Sequence, residues 1–475
     1  MSFTGTLSKN TIFSFYTVFL RLLINTFIFW LIANQYGKYL FGQFTLAQTF
    51  SSIFILFADF GIDLYTVNKV PINNDKVSLF QRLFTLKLVL TFFSIIIFGF
   101  IISISNFNIK VKYLIFIFII YSILSTLLNF LNSFYRGIEK LVLETKVSLI
   151  TNFITLLFTV ILIILKVSIF FIAINFVFTR ILGIVSSLIL ANKNDISIKF
   201  KINFNDNFKI FKELYYYGIF LMFGNLYFIL DSILLGFIKQ EESVGIYQAV
   251  FRLILFPLII PEIFINSFMP VLAKLFKIDP LNWVKLSVIL YKIFMFIGLI
   301  FGIFFFIYSD IIINIIYGYD KYSESISILK IFSFIIIVRF LSEVYGLMLT
   351  TSENQKARMY IVIVATLINI IINLFFIPNF GIIGAAITSL ITNLFVYISF
   401  VLVCKLLFNV NFNIKINLKF ILINLFTIGI IYYIKEFLII PSIILIVLYI
   451  LLLYRYIFDS QDKVFLYDFI KSVIK

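Results

Sequence analysis

The sequence predicts an all-α integral membrane protein with about 14 transmembrane helices. Of its 475 residues, 62% are hydrophobic and 13% are charged, and the mean hydropathy is +1.12. Soluble domains typically carry roughly 25% charged residues. Apolar runs of span length recur along the whole chain, and the loops between them alternate between rich and poor in lysine and arginine. A soluble globular fold is therefore excluded.

The apolar runs define the predicted spans, because a transmembrane helix needs about 20 mostly apolar residues. They lie at residues 11–33, 43–66, 83–104, 113–134, 147–165, 168–190, 214–238, 246–272, 286–308, 328–350, 359–377, 382–404, 418–434 and 438–457. A count of about 12 or 13 also fits if one of the last two lies in the membrane interface.

The distribution of lysine and arginine predicts the orientation of these spans. The N-terminus, the even-numbered loops and the C-terminal tail together hold 24 positive residues. The opposite loops hold 8, namely Lys38, Lys110, Lys112, Lys166, Lys239, Lys321, Lys330 and Lys435. Since the richer side is normally cytoplasmic, both termini are expected in the cytoplasm.

An internal repeat divides the spans into two lobes. Gly42 and Gly245 each open a span, at an offset of about 204 residues, and Asp59 and Glu262 each follow 17 residues later. Six spans per copy give both copies the same orientation, as in transporters built from parallel repeats. The predicted parts are an N-terminal lobe (1–200, spans 1–6), a C-terminal lobe (201–405, spans 7–12) and a C-terminal helix pair (406–475, spans 13 and 14).

Charged residues inside the predicted spans are the candidate functional residues, because a charge at the bilayer centre costs several kcal/mol. Arg21 lies near the middle of span 1, and Asn25 is one turn later on the same face. Arg252 in span 8 follows Gln248 by one turn, and Asp231 near the outer end of span 7 is predicted to pair with Arg252. These residues form either a cationic wall that binds an anionic substrate or ordinary bridges between helices.

Two further arginines are candidates for substrate binding. Arg180 lies in span 6 with no acidic neighbour on its own helix face. Arg339 in span 10 precedes Glu343 by four residues. Arg339 and Glu343 can therefore also neutralise each other on one helix face.

A second set of charges is predicted to serve ion coupling or gating. Asp59 with Lys87, and Glu262 with Lys292, repeat one acid–base arrangement in the two lobes. We expect each pair to form a bridge that braces the inner side of its lobe, and Glu343 joins this set. The alternative is that each lysine extends to the inner interface without an acidic partner.

The residues present argue against catalysis in this chain. Histidine is absent and Cys404 is the only cysteine, which leaves no histidine- or cysteine-based metal site. No phosphate-binding loop occurs, so no nucleotide or other cofactor is predicted. The formal charge of +16 is dispersed among apolar residues, which does not suit nucleic-acid binding. A membrane glycosyltransferase would need longer loops outside the membrane, so we expect a transporter.

Several short segments resemble the polysaccharide-biosynthesis flippase family, which belongs to the superfamily of multidrug, oligosaccharidyl-lipid and polysaccharide exporters. The segments are Asn10-Thr11, 33–42 (ANQYGKYLFG), 59–61 (DFG), 231–236 (DSILLG) and 244–253 (VGIYQAVFRL). The resemblance runs along nearly the whole chain. Arg21 and Arg252 occupy places similar to cavity arginines of the related lipid II flippases, which have an acidic residue where this chain has Leu22.

The resemblance implies a function and its setting. The expected substrate is an undecaprenyl-pyrophosphate-linked oligosaccharide, such as an O-antigen or capsule repeat unit, which is moved between leaflets of the bacterial cytoplasmic (inner) membrane by alternating access. The expected partners are this lipid-linked oligosaccharide, membrane lipids, a polysaccharide polymerase and a chain-length regulator. The alternatives are a lipid II flippase and a cation-coupled multidrug antiporter of the same superfamily.

Overall fold

The computed structural model describes residues 3–408 except 72, 74, 139, 195, 197, 199 and 204–206, together with 429–435 and 439–457. Within these residues the regular structure is helical and no strand occurs. Most of the helices are long and apolar enough to cross a membrane. The predicted all-helical membrane fold is therefore confirmed.

The helices follow the predicted spans closely. They are α1 (Phe3–Asp59), α2 (Ile62–Lys69), α3 (Lys76–Ile104), α4 (Ile109–Gly137), α5 (Leu141–Ile164), α6 (Ile169–Lys193), α7 (Asn207–Ile238), α8 (Glu241–Ile278), α9 (Pro280–Ile307), α10 (Ser309–Tyr317), α11 (Tyr319–Tyr322), α12 (Ser325–Thr351), α13 (Gln355–Phe408) and α14 (Ile439–Ile457). Most of the predicted span 418–434 lies outside the described residues, so the total of 14 spans stays a prediction.

Helices α1 and α13 each contain two predicted spans, and each reverses at a glycine. Gly37 in α1 has a φ of 72°, and Gly381 in α13 has a φ of 57°; glycine tolerates this region best. In one straight helix, residues 15 positions apart would be about 22 Å apart along the axis. The rings of Phe29 and Phe44 are instead 5.9 Å apart, so the two halves of α1 lie side by side.

The chain forms two compact units, which do not follow the predicted lobes residue by residue. The first comprises residues 1–253, 316–322 and 362–388, and the second comprises 254–315, 323–361 and 389–475. The chain passes from the first unit to the second inside α8, between α11 and α12, and inside α13. The division into two six-span lobes and a helix pair stays a prediction.

Hydrogen bonds between small polar side chains join the helices of the first unit. Ser122 on α4 donates to the Ser51 hydroxyl on α1 at 2.6 Å. Asn175 on α6 donates to the Thr159 hydroxyl on α5 at 3.1 Å. In lipid the hydrophobic effect does not drive helices together, so close packing and such bonds hold them.

The second unit packs α9 against α12, and Trp283 at the start of α9 lies in its core. An aromatic residue at the start of span 9 suits an anchor in the membrane interface. Trp283 is instead 1% exposed, packs between the rings of Phe276 and Phe408 and donates to the Thr351 hydroxyl at 3.1 Å. Because its indole N–H is hydrogen-bonded inside the protein and its ring is buried, Trp283 is a core residue.

Candidate functional site

Arg252 lies in the first unit, and its charge is held by uncharged groups. The guanidinium carbon lies 3.8 Å from the ring centroid of Phe29, and Nη2 donates a hydrogen bond to Oε1 of Gln48. The buried Nε has no hydrogen-bond partner among the described residues. A ring face and an amide oxygen stabilise a cation without neutralising it. Arg252 therefore keeps its positive charge, and its buried Nε–H is an unused donor.

The reversal of α1 at Gly37 creates this arrangement, because it places Phe29 and Gln48 on adjacent halves of one helix. Hydrogen bonds from two aromatic side chains connect the 316–322 segment to α8 and to α1. Tyr317 donates from its hydroxyl to the Ala249 carbonyl on α8 at 3.1 Å. Trp30 donates from its indole to the Ile316 carbonyl at 2.6 Å.

Arg180 lies against Tyr121 in the first unit. Nη2 of Arg180 donates to the Tyr121 hydroxyl at 2.8 Å, and its guanidinium lies 5.0 Å from the centroid of the Tyr121 ring. The buried Nε of Arg180 also has no partner among the described residues. Arg21 is exposed, and its charge acts on both Tyr121 and Glu144. The charge of Arg180 is thus held by an uncharged phenol, and the role of Arg21 in binding stays a prediction.

The predicted pair between Asp231 and Arg252 does not form, since Arg252 bonds Gln48 instead. Asp231 is fully buried. Its carboxylate accepts from the Tyr247 hydroxyl at 2.8 Å and from the side-chain amides of Asn369 at 3.0 Å and Asn373 at 2.7 Å. The two asparagines lie one turn apart on α13, before its reversal at Gly381. The depth of two residues alone does not determine which helix faces which.

The Asp231 cluster is joined by hydrogen bonds in which the amide nitrogens of Asn369 and Asn373 face the carboxylate. Asn373 also donates to Oδ1 of Asn369 at 3.0 Å. The Asn373 Oδ1 atom is buried without a hydrogen-bond partner among the described residues, which leaves an acceptor available. No group of three or more histidine, cysteine, aspartate or glutamate side chains occurs in the described part of the chain.

Gln248 and Asn25 are the other two uncharged candidates, and they lie on α8 and α1. Gln248 is 2% exposed and donates to the hydroxyls of Ser232 at 2.8 Å and Thr49 at 3.3 Å. These bonds make Gln248 a link between α1, α7 and α8. Asn25 is partly buried on α1, and its role in binding stays a prediction.

Arg339 and Glu343 in the second unit form the expected pair, and Arg358 joins it. The guanidinium of Arg339 lies 3.8 Å from the Glu343 carboxylate, and that of Arg358 lies 4.0 Å from it. Arg358 also donates to the Thr350 hydroxyl at 2.9 Å. Glu343 therefore bridges α12 and α13, a contact that the spacing within one helix does not reveal.

Lys87 pairs with Asp59 as predicted, and Asp63 completes a cluster of three. Lys87 is fully buried, with its ammonium 2.6 Å from Asp59 and 2.7 Å from Asp63. The turn at Phe60 and Gly61, both with positive φ, separates α1 from α2 and brings the two carboxylates to one side. Asp59 also accepts from the backbone N–H groups of Gly61 and Asp63. The cluster braces the junction of α1, α2 and α3, as expected, and any role in coupling stays a prediction.

Removal of the Lys87 ammonium is expected to destabilise the protein. Lys87→Met leaves two carboxylates facing each other without a cation, a change that typically costs about 3–5 kcal/mol. Exchange of the charges in Asp59→Lys/Lys87→Asp should restore stability, because two acids and one base are again present. Thermal unfolding in detergent measures both, with the exposed Lys212→Met as control. Equal melting temperatures for Lys87→Met and Lys212→Met would contradict the cluster's role.

Glu262 and Lys292, the pair predicted to repeat this arrangement, both lie in the second unit. Glu262 is exposed and Lys292 is partly buried. Their pairing stays a prediction.

The uncharged side chains that contact the buried charged residues were not predicted from the sequence. Phe29, Gln48 and Tyr121 carry no charge and stand in an apolar sequence rich in aromatics, so nothing in their local pattern distinguishes them. Asn369 and Asn373 do give a signal, since two amides at helical spacing within an apolar run are unusual.

The family model described as polysaccharide biosynthesis protein matches residues 7–276, which is more than half of the chain. The chain belongs to the polysaccharide biosynthesis protein family. This confirms the resemblance seen in the sequence motifs. A search of curated proteins gives no significant match.

Solved structures show the fold of this polysaccharide biosynthesis protein. The lipid II flippase MurJ, in an inward closed conformation, is similar over 94% of this chain and 99% of its own, with a TM-score of 0.75 and 18% identity. An inward-facing multidrug resistance MATE family transporter is similar over 81% of this chain and 94% of its own, with a TM-score of 0.65 and 14% identity. A transporter from Pyrococcus furiosus, described as having a binding pocket of reverse polarity, is similar over 85% of this chain and 94% of its own, with a TM-score of 0.55 and 14% identity.

At these identities the likeness shows a shared fold. This member of the polysaccharide biosynthesis protein family therefore has the fold of the transporters and flippases of the MOP superfamily.

Proposed function

We propose that this chain is a flippase for an oligosaccharide linked to undecaprenyl pyrophosphate. It moves the headgroup from the inner to the outer leaflet of the bacterial cytoplasmic membrane, with both termini in the cytoplasm. The observation that carries the proposal is the state of Arg180 and Arg252. Each guanidinium lies within the first unit and is held by uncharged side chains.

A buried guanidinium without a carboxylate partner is costly, so its retention needs a reason. Neither Arg180 nor Arg252 forms an ion pair in the described part of the chain. Both have a buried Nε without a hydrogen-bond partner there. A pyrophosphate supplies the missing charge and accepts paired hydrogen bonds from guanidinium groups. An anionic headgroup is therefore the substrate that suits these arginines best.

The same charges disfavour an organic cation as cargo. Like charges in a medium of low dielectric constant repel strongly, and Arg180 and Arg252 would meet a drug cation without an intervening carboxylate. A multidrug antiporter with this fold needs an anionic binding site. We therefore rank multidrug transport below lipid-linked substrates.

Alternating access would carry the headgroup across while the polyprenyl chain stays in the lipid. Asp231 is the carboxylate we assign to coupling, because it is fully buried and accepts hydrogen bonds from three uncharged side chains. A monovalent cation or proton at Asp231 would bias the conformational equilibrium. A polysaccharide polymerase and a chain-length regulator are the expected partners on the outer side.

Transport of lipid II is the second candidate, and the similarity to MurJ over 94% of this chain favours it. Lipid II also carries a polyprenyl pyrophosphate, so the arginines do not distinguish the two. The two candidate substrates differ in the sugars of the headgroup, so only identification of those sugars separates the two functions.

Deletion of the gene in its native host separates these functions. We expect a complete polyprenyl-linked repeat unit to accumulate on the cytoplasmic side, as measured by mass analysis of extracted lipids, while lipid II stays at its normal level. Accumulation of lipid II instead would assign the second candidate. Normal levels of both lipids and a normal surface glycan would contradict the proposal.

A further inference from the structure

An ion pair in the second unit holds the helical segment 429–435 against the end of α9. Lys435 is 8% exposed, and its ammonium pairs with the carboxylate of Asp310 at the start of α10. The same ammonium donates a hydrogen bond to the Ile307 carbonyl oxygen at 2.9 Å. Asp310 therefore neutralises Lys435, and this pair offers no excess charge to a ligand.

A second lysine reaches the same place without a carboxylate. Lys330 in the second turn of α12 donates to the Tyr432 hydroxyl at 3.3 Å, and its ammonium lies 5.3 Å from the centroid of the Tyr432 ring. The Lys435 ammonium lies 5.5 Å from the same centroid. In the described part of the second unit Lys330 forms no ion pair. Since an ammonium carries three N–H donors, two donors of Lys330 have no partner among the described residues.

The cluster of Lys330, Tyr432, Lys435 and Asp310 lies at one end of the second unit and is positively charged. Two lysines and one aspartate leave a net charge of +1. Asp310 follows the predicted span 9, Lys330 lies at the start of span 10, and Lys435 follows span 13. Their contacts require these three span ends to lie on one side of the membrane, and the lysine and arginine counts predict that this is the outer side.

Aromatic rings continue from the cluster toward the middle of the membrane. The ring of Phe306 lies 6.3 Å from that of Tyr432 and 5.6 Å from that of Phe334. Phe334 is 48% exposed and follows Lys330 by one helical turn, about 6 Å along α12. A cation at the interface with an exposed apolar surface one turn deeper fits a lipid, whose anionic headgroup lies above its hydrocarbon chain.

We propose that this cluster binds the phosphodiester headgroup of an anionic phospholipid, with Lys330 and the Tyr432 hydroxyl as its ligands. A phosphodiester carries one negative charge and balances the net charge of the cluster, whereas a pyrophosphate carries two or more. The Tyr432 hydroxyl accepts from Lys330 and still has its own O–H to donate to a phosphate oxygen. The bound lipid would join the segment 429–435 to α12. This site is independent of the proposed function, since it needs no transported substrate.

Native mass spectrometry of the full chain in detergent, titrated with phosphatidylglycerol, tests the site. Phosphatidylcholine with the same acyl chains is the reference lipid, because its phosphate is balanced by its own choline. Lys330→Met removes the ammonium and keeps an apolar side chain, and Tyr432→Phe removes only the hydroxyl. The matched control is Lys110→Met at the start of α4, an exposed lysine on the same predicted side of the membrane.

We expect Lys330→Met to lower the affinity for the first phosphatidylglycerol at least about tenfold, which corresponds to about 1.4 kcal/mol. Tyr432→Phe should lower it less, because a neutral hydrogen bond is weaker than a charge-assisted one. Lys110→Met should leave it unchanged, and phosphatidylcholine should bind all variants alike. If Lys330 only extends to water at the interface, Lys330→Met and Lys110→Met will bind phosphatidylglycerol equally, which would overturn the proposal.

Photo-cross-linking locates the lipid on the unsubstituted chain, and it decides the matter even if a variant does not fold. A phosphatidylglycerol with a photoreactive group next to the phosphate should label peptides that contain residues 325–334 or 429–435. Labelling confined to other peptides would overturn the site.

Competition in the same cross-linking experiment identifies the source of the phosphate. Unlabelled phosphatidylglycerol should suppress labelling of these peptides, whereas inorganic phosphate and undecaprenyl pyrophosphate at the same concentration should not. Stronger suppression by undecaprenyl pyrophosphate would assign the cluster to a polyprenyl lipid and overturn its assignment to a phosphodiester. Suppression by inorganic phosphate would show that no lipid chain is needed and would overturn the lipid site.

Discussion

Arg252→Ala is expected to abolish transport of the pyrophosphate-linked headgroup. The substitution removes a guanidinium that Phe29 and Gln48 hold without neutralising it. Loss of two charge-assisted hydrogen bonds to phosphate costs about 3–4 kcal/mol, which is roughly a 100- to 1,000-fold loss of rate. Arg252→Lys keeps the charge but not the planar, paired donors, so we expect it to recover a small fraction.

Transport of a fluorescent polyprenyl-pyrophosphate sugar in proteoliposomes measures this effect. The matched control is Arg455→Ala on α14, an exposed arginine, which should keep the normal rate. Thermal unfolding should be changed only moderately by Arg252→Ala, because loss of the contacts with Gln48 and Phe29 is offset by removal of a charge that is costly to bury. Equal transport by Arg252→Ala and Arg455→Ala would remove Arg252 from the site.

Asp231→Asn is expected to fold but to lose dependence on the coupling ion. The amide is close to isosteric with the carboxylate, so bonds with Tyr247, Asn369 and Asn373 can rearrange around it. The negative charge that would hold a cation is gone. Asp231→Ala removes the bonds as well and should destabilise the protein by about 3–5 kcal/mol, because buried donors lose their acceptor.

The readout is the transport rate under imposed sodium and proton gradients. We expect the gradient that accelerates the unsubstituted protein to have no effect on Asp231→Asn. Asp320→Asn on α11, an exposed carboxylate, serves as the control and should respond normally. A preserved response in Asp231→Asn would assign coupling to another residue.

The fold was predictable because the membrane leaves few choices. Apolar runs of span length must be helical in lipid. Lysine and arginine counts predict on which side of the membrane each loop lies. The reversals at Gly37 and Gly381 were also expected as loops between spans, although each consists of little more than one glycine. The compact units were not predictable, since residues 316–322 and 362–388 join the first unit through long-range contacts.

The candidate site was predictable only in its charges. A buried charge is conspicuous in an apolar span, so Arg180, Arg252 and Lys87 stood out. Their partners depend on helix rotation, which periodicity does not determine when the whole helix is apolar. The pairing of Lys87 with Asp59 was predictable because the two residues are close in sequence, with only the short helix α2 between α1 and α3. Asp231 accepts hydrogen bonds from Asn369 and Asn373, which are distant in sequence and carry no charge.

Charge selectivity tests the central claim most directly, that unneutralised arginines select an anionic lipid headgroup. The measurement is the ratio of transport rates in proteoliposomes for one glycan attached to polyprenyl pyrophosphate and to an uncharged polyprenyl ether. We expect rapid transport of the pyrophosphate and background transport of the ether, with the difference lost in Arg252→Ala. Equal transport of the charged and uncharged lipids by the unsubstituted protein would contradict the account.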